Sequence, residues 1–329
     1  MIFILYLILA ITVVILSIIV SKYVDLIEKN SSLSGAFIGG IILSAVTSLP
    51  ELFTSISSTV WLKKPGLCFG NILGSDLFNL TIMAFMVLIF SSKYKVAKIS
   101  ESHLVTIILL IFIYGILSLN MLGITNFNIL TVNITSIIIF IMYIIGVKAM
   151  AKENGDCDNF EEEIEEEVAI TAKLTLKQIV IRFIIASALL VIASILITYV
   201  TDLISIKLKL GAGLAGALFL GIATSLPELT SSISLARMEN FNMVTGNIVG
   251  SNLFNFLILF IADVLYLGDG IYNFADRQNI NLVLFGAIAT IFMGILLALN
   301  SKKKIKKNMI VSVLLSIGII TSYVLFLVF

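Results

Sequence analysis

Long apolar stretches separated by short polar segments recur from one end of the chain to the other. Each stretch has about 20 residues, which is the length of a helix that crosses the hydrocarbon core of a bilayer. Barrel strands are shorter and alternate between apolar and polar residues. The pattern therefore predicts an all-α integral membrane protein with ten transmembrane helices, at approximately 2–22, 35–60, 66–91, 104–120, 124–148, 178–200, 212–236, 242–266, 280–299 and 309–328.

One clearly polar stretch, at about 149–177, interrupts this series and is rich in glutamate. We interpret it as a solvated cytoplasmic linker. It divides the chain into a first five-helix repeat at 1–148 and a second at 178–329. Two halves that share a fold and have an odd number of spans must cross the membrane in opposite senses. This is the inverted repeat of many secondary transporters, whose binding sites lie at the midplane.

Two short motifs occur twice, in the same order, and support a duplicated unit. Thr-Ser-Leu-Pro-Glu stands at 47–51 and is repeated letter for letter at 224–228. Gly-Asn-Ile-Leu-Gly-Ser-Asp-Leu-Phe-Asn stands at 70–79, and Gly-Asn-Ile-Val-Gly-Ser-Asn-Leu-Phe-Asn at 246–255. The repeated motifs fall on the second and third predicted spans of each half.

Composition and charge agree with a multi-pass protein of the cell membrane. The chain is 59% hydrophobic and 12% charged, with a mean hydropathy of +1.13. A net charge of +1 without a basic stripe gives no indication of nucleic-acid binding. Most of the 21 lysines and arginines, including the cluster at 302–307, fall on one side of the predicted spans. The positive-inside rule makes that side cytoplasmic and places both termini outside.

Glu51 and Glu228 end the two copies of the first motif and are each predicted to lie inside a span. A charged residue there costs about 3 kcal/mol or more, so it must face a partner, a cavity or a bound ion. The proline before each glutamate removes a backbone donor and frees carbonyl oxygens one turn earlier. Carboxylate, hydroxyl and carbonyl oxygens are the ligands that hard cations prefer. The candidate metal ligands of this motif are Ser44, Thr47, Ser48, Glu51, Gly221, Thr224, Ser225 and Glu228.

The second motif adds a polar helix face to each half. Asparagine, serine and asparagine recur at intervals of four, so they share one face of a helix. Glycines spaced by four permit close approach of a neighbouring backbone. Packed against a broken helix with a carboxylate, such a face forms half of a cation cage, and two inverted halves complete it. The polar faces consist of Asn71, Ser75 and Asn79 in the first half and Asn247, Ser251 and Asn255 in the second.

On these motifs the sequence resembles the sodium/calcium exchangers of the cation/calcium antiporter superfamily, and is most similar to compact prokaryotic members with two α-repeats. The resemblance implies that Glu51 and Glu228 coordinate calcium and sodium. It also implies that the preceding Thr and Ser residues line the sites, and that the motif serines contribute sodium ligands. In this family the residue four positions further on lies at the centre. The implied positions are Thr47, Ser48, Thr224 and Ser225, then Ser75 and Ser251, then Asn79 and Asn255.

One position departs from the family pattern. Well-known sodium/calcium members often have an aspartate where this chain has Asn255. The centre would then hold two formal negative charges instead of three, which affects ion preference and coupling ratio. Asp76 is an additional carboxylate, but it lies about 100° around the helix from Ser75. We therefore expect Asp76 to be a peripheral or pore-mouth residue rather than a replacement ligand.

The function predicted from these features is Na+/Ca2+ antiport by alternating access, with the first span of each half moving over a fixed core. The transported ions are the expected ligands, no cofactor is expected, and the oligomeric state stays open, with a monomer among the options. An H+/Ca2+ exchanger of the same fold is the main alternative, although such proteins typically have glutamates at the positions of Ser75 and Ser251. A passive cation channel fits a two-fold cage less well. An enzyme is not expected, because His103 has no nucleophile or metal motif around it.

Overall fold

The computed structural model describes residues 2–29, 47–153, 175–268, 270–272, 277–301 and 309–329. These residues are almost entirely helical, with one short hairpin. The elements before the acidic stretch are α1 (Ile2–Lys29), α2 (Leu49–Ile56), the π-helical segment π1 (Ser57–Trp61), α3 (Pro65–Ile89), α4 (Ser91–Val96), α5 (Glu101–Met121), β1 (Asn128–Ile129), β2 (Val132–Asn133) and α6 (Ile134–Glu153). Those after it are α7 (Leu176–Leu208), α8 (Ala212–Ala215), the π-helical segment π2 (Gly216–Gly221), α9 (Ile222–Thr224), α10 (Leu226–Arg237), α11 (Phe241–Leu265), α12 (Arg277–Ser301) and α13 (Met309–Val328).

Within the described ranges, seven helices are long and apolar enough to cross a membrane: α1, α3, α5, α7, α11, α12 and α13. The run from α8 to α10 adds an eighth if its two parts, bent by 44°, form one span. The second predicted span lies partly outside the described residues, because 35–46 are not among them. The described part of the chain thus shows a multi-span helical membrane protein with fewer clear spans than the ten predicted.

The fifth predicted span, 124–148, begins too early. Its first ten residues contain the β1–β2 hairpin, in which Asn128 pairs with Asn133, and the helix starts only at Ile134. The side chain of Asn133 donates to Asn126 and Asn128, and its backbone N–H donates to Asp263 Oδ2 at 2.8 Å. Asparagine favours such local bonds over helix, which is why the apolar count alone misplaced the boundary.

α3 and α11, which carry the second motif, are the most enclosed of the long helices. They pack against each other, and α5, α6, α12 and α13 surround them in one continuous hydrophobic cluster. α1 and α7 pair with each other in a second, smaller cluster, which also includes Leu220 and Ala223. The outer faces of α1 and α7 expose leucines and isoleucines, as expected for surfaces against lipid.

Candidate cation site

Both copies of the Thr-Ser-Leu-Pro-Glu motif break a helix in the same way. Ser48 (φ −88°, ψ 11°) and Ser225 (φ −91°, ψ 3°) lie at the break, and a new helix starts at the following leucine. Proline is tolerated there because the first turn of a helix has no partner for its missing N–H. Each glutamate therefore lies in the first turn of α2 or α10. Glu51 is 1% exposed and Glu228 is fully buried.

The first asparagine of each second motif fastens α3 or α11 to the broken helix of the same half. Asn71 Nδ2 donates to Thr54 Oγ1 (2.9 Å) and Ser55 Oγ (3.0 Å), and approaches the carbonyl of Glu51 at 3.4 Å. The second half repeats this arrangement: Asn247 Nδ2 contacts Ser232 Oγ at 3.3 Å and the carbonyl of Glu228 at 3.5 Å.

These serine partners were not predicted, although the sequence contained a signal for them. Ser55 and Ser232 are separated by the same 177 positions as Glu51 and Glu228, and Ile-Ser follows both. The internal repeat therefore extends beyond the glutamates, and the residues that fasten the two motifs together are repeated as well.

The glutamate of each half also meets hydroxyl groups of the other half. Ser225 Oγ lies 3.5 Å from Glu51 Oε1, and Thr224 interacts with the same carboxylate. Conversely, Thr47 interacts with the carboxylate of Glu228. The two carboxylates are near enough for their charges to repel each other. Three of the predicted site residues from the first motif, Thr47, Thr224 and Ser225, thus lie close to the two glutamates, which belong to opposite halves of the chain.

Several buried oxygens of the predicted site residues have no hydrogen-bond partner among the residues that the structure describes. They are one oxygen of each glutamate (Oε2 of Glu51 and of Glu228), the hydroxyl of Ser48 and the side-chain carbonyls of Asn79 and Asn255. Buried polar atoms are nearly always paired, since leaving one unpaired costs about 1–3 kcal/mol. The carboxylate and amide oxygens can only accept hydrogen bonds, and the hydroxyl oxygen also has lone pairs to offer. The set is suited to a hard cation.

The two serines of the second motif both contact the broken helical region of the second half. Ser251 Oγ is 3.4 Å from Glu228 Oε1. Ser75 Oγ donates to the carbonyl of Gly221 at 3.2 Å, so it reaches across to the other half.

The prediction that the proline frees the Gly221 carbonyl is wrong. That oxygen accepts from the backbone N–H of Ser225 (3.3 Å) as well as from Ser75. The proline at 227 takes away the donor to the carbonyl four residues before it, at 223, and leaves the carbonyl at 221 bonded. The corresponding prediction for Ser44 lies outside the described residues.

The close backbone approach predicted from the glycines is confirmed in the first half. A Cβ added at Gly70 would lie 2.1 Å from the carbonyl oxygen of Gly213, and one added at Gly74 would lie 2.5 Å from the Cα of Ala217. α3 therefore crosses α8 and π2 with main chain against main chain. This crossing carries Ser75 to Gly221, so the glycines determine how closely the two halves meet.

No group of three or more His, Cys, Asp and Glu side chains with metal-holding geometry occurs in the described ranges. A comparison with protein families matches the description "Sodium/calcium exchanger protein" over residues 1–150 and 178–329. The chain belongs to the sodium/calcium exchanger family. This confirms the resemblance inferred from the repeated motifs, and members of the family are transporters rather than enzymes.

The individual proteins that match this chain have low sequence identity to it. The exchanger is 26% identical, over 227 residues, to an uncharacterized membrane protein of Methanocaldococcus jannaschii, with 69% of each chain covered. Its fold is similar to that of the H+/Ca2+ exchanger CAX, with a TM-score of 0.70 and 15% identity over 98% of this chain and 84% of the other. It is also similar to the sodium-calcium exchanger NCX_Mj, with a TM-score of 0.55 and 20% identity over 98% of this chain and 99% of the other. At these identities the solved structures show a common fold.

The expectation that Asp76 is peripheral is wrong for this exchanger. Its side chain is fully buried, and Asp76 Oδ1 accepts from Nδ2 of Asn255 at 2.8 Å. Although Asp76 lies about 100° around the helix from Ser75, it contacts α11, because α3 is enclosed by other helices. Beside it, Asn79 Nδ2 donates to Asn252 Oδ1 at 2.9 Å. Sequence reasoning missed both Asp76 and Asn252 as neighbours of the central asparagines.

Proposed function

We propose that this chain exchanges Na+ for Ca2+ across the cell membrane, with both ions bound in turn between Glu51 and Glu228. One observation carries the proposal: two buried carboxylates from opposite halves each contact hydroxyl groups of the other half, and each has an oxygen without a hydrogen-bond partner among the described residues. A bound cation would compensate both charges at once. Two carboxylates with neutral oxygens give the hard, oxygen-rich environment that Ca2+ prefers.

The proposed architecture is that of two inverted five-helix repeats, 1–148 and 178–329, joined by an acidic cytoplasmic linker, with both termini outside. It is supported by the equivalent contacts that Asn71 and Asn247 make in their own halves. The reciprocal contacts between each glutamate and the hydroxyls of the other half also support it. The ion site then lies where the repeats meet, near the midplane of the membrane.

Alternating access is proposed to involve α1 and α7, the first helix of each half. They pair in a hydrophobic cluster separate from the main one, and their outer faces are apolar and exposed. The pair can therefore shift against the core without breaking the packing around α3 and α11. Tyr6 on α1 donates to the carbonyl of Phe219 in π2 at 2.6 Å, so a movement of α1 has a direct contact with the chain leading to the second broken helix.

Sodium is the coupling ion that we favour, because Ser75 and Ser251 provide neutral oxygens rather than proton acceptors. Proton coupling remains the second candidate on one observation. Asp76 is a buried carboxylate in contact with the central Asn255, and a buried carboxyl group can take up a proton.

Tracer 45Ca2+ uptake into proteoliposomes distinguishes these functions. Vesicles loaded with Na+ and diluted into Na+-free buffer are expected to accumulate 45Ca2+, and a pH gradient alone should give little uptake. Uptake that follows the pH gradient and ignores Na+ would instead support the H+/Ca2+ exchanger. Uptake of 45Ca2+ without any opposing gradient, at rates that do not saturate, would indicate a channel.

A further inference from the structure

Asp76 is a buried carboxylate for which the exchange mechanism proposed above has no role. Its side chain has no exposed surface, and its second oxygen, Oδ2, has no hydrogen-bond partner in the part of the chain that the structure describes. The ion pairs Lys64–Asp202 and Lys93–Glu239 both lie elsewhere. An unpaired charge in such surroundings is costly to the fold, and a cation bound beside Asn255 would compensate it.

The bond between Asp76 and Asn255 determines how the asparagine is oriented. An ionised carboxylate only accepts hydrogen bonds, so Asn255 must turn its NH2 group toward Asp76 Oδ1. The carbonyl oxygen of Asn255 is then left without a partner among the described residues. This orientation leaves that oxygen available to a cation.

The other central asparagine, Asn79, belongs to an equivalent pair that has no charge. Asn79 donates its NH2 group to Oδ1 of Asn252, and the carbonyl oxygen of Asn79 is likewise unpartnered among the described residues. Asn252 in turn donates to the backbone carbonyl of Asp76 at 3.1 Å, which fixes which end of its own amide accepts. Each central asparagine is thus held by a residue of the opposite half, by an aspartate in one case and by an asparagine in the other.

We propose that Asp76 is a positioning and specificity-determining residue of the cation centre. It holds the carbonyl oxygen of Asn255 toward the cation and supplies a third negative charge, which position 255 itself lacks. This inference rests on the proposed cation site between Glu51 and Glu228. Asp76 contacts the amide of Asn255, so it orients that amide in addition to contributing its charge.

A charge at this position favours a divalent over a monovalent ion. The electrostatic energy between Asp76 and a bound ion is proportional to the charge of that ion. Removing the charge should therefore weaken Ca2+ binding by the square of the factor by which it weakens Na+ binding. A side chain that only fills space or completes a hydrogen bond would not produce this relation.

Asp76→Asn isolates the charge, because an asparagine at 76 can still accept from Asn255, as Asn252 does from Asn79. Ca2+ and Na+ binding are measured by isothermal titration calorimetry on the purified full-length protein in detergent. We expect Ca2+ affinity to fall about tenfold, which corresponds to about 1.4 kcal/mol, and the midpoint of the Na+ titration to rise about threefold. Glu239→Gln, which removes an exposed surface charge, is the control and should change neither value.

The double variant Asp76→Asn/Asn255→Asp returns the charge to the same hydrogen-bonded pair. It should restore Ca2+ affinity to within about threefold of the unmodified protein, and it remains informative if the single variant does not fold. The inference is overturned if Asp76→Asn binds Ca2+ within twofold of the unmodified protein, or if a folded double variant binds it more than tenfold more weakly.

Glu51→Gln separates this inference from the proposed function. If Glu51→Gln abolishes Ca2+ binding while Asp76→Asn leaves it intact, only the role of Asp76 is wrong. If Glu51→Gln binds Ca2+ as well as the unmodified protein, the cation site itself is misplaced and the role of Asp76 is refuted with it.

Discussion

Alanine at Gly70 should separate the two halves of the exchanger at the crossing that forms the site. The added Cβ would lie 2.1 Å from the carbonyl oxygen of Gly213 and 2.9 Å from its carbonyl carbon. All of these neighbours are backbone atoms, so no side chain can rotate to make room. α3 and α8 must move apart instead.

The size of this movement follows from the contact distances. Carbon and carbonyl oxygen approach each other to about 3.3 Å, so the crossing must widen by roughly 1.2 Å. Overpacking of this kind costs about 1–3 kcal/mol. Distances between a metal ion and its ligands deviate from their usual values by only about 0.2 Å. A shift of this size beside Asn71 and Ser75 should therefore abolish exchange even if the protein still folds.

The assay compares thermal unfolding in detergent with Na+-driven 45Ca2+ uptake. Gly115→Ala is the matched control, because Gly115 lies within α5 and a Cβ there meets nothing within 4 Å. Alanine is preferred to glycine in a helix by about 1 kcal/mol, so this control should be as stable as the unmodified protein or slightly more so. The reasoning would be refuted if Gly70→Ala were as stable and as active as Gly115→Ala.

Two further predictions concern the buried glutamates and the contact between α1 and π2. Glu51→Gln and Glu228→Gln should each reduce 45Ca2+ uptake to background, because removing the carboxylate from its buried contact with the cation costs about 2–5 kcal/mol. Glu239→Gln, at an exposed glutamate, should transport normally. Substantial exchange by either buried variant would show that the site is elsewhere. Tyr6→Phe removes the hydrogen bond to the carbonyl of Phe219, so thermal stability should fall by about 1 kcal/mol while equilibrium Ca2+ binding is unchanged. An unchanged unfolding temperature would mean that this bond does not hold α1 in place.

The sequence was sufficient for the parts of the site that depend on periodicity and on repetition. Spacing by four placed Asn71, Ser75 and Asn79 on one helix, and all three are buried. The repeated proline and glutamate indicated two equivalent helix breaks, which have nearly identical backbone angles at Ser48 and Ser225. Such features follow from local geometry, which a single sequence contains.

The misplaced predictions depended on contacts between segments far apart in the sequence. Asp76 was assigned to the periphery from its angle on one helix, but burial depends on what surrounds that helix, and α3 is enclosed by several others. The hairpin before α6 has local asparagine bonds, and the contact of Asn133 with Asp263, 130 residues away, joins it to α11. The Gly221 carbonyl accepts from Ser75 in the other half, in addition to its local bond from the Ser225 N–H. None of these partners can be read from the helical period of either segment.

The position of the bound divalent cation tests the central claim most directly. Crystals of the full-length protein soaked in Sr2+, a heavier substitute for Ca2+ with an anomalous signal, would locate it. The account predicts the strongest anomalous peak between Glu51 and Glu228, at about 2.3–2.6 Å from an oxygen of each carboxylate. A strongest peak outside this pair, or one that persists unchanged in Glu228→Gln, would contradict it.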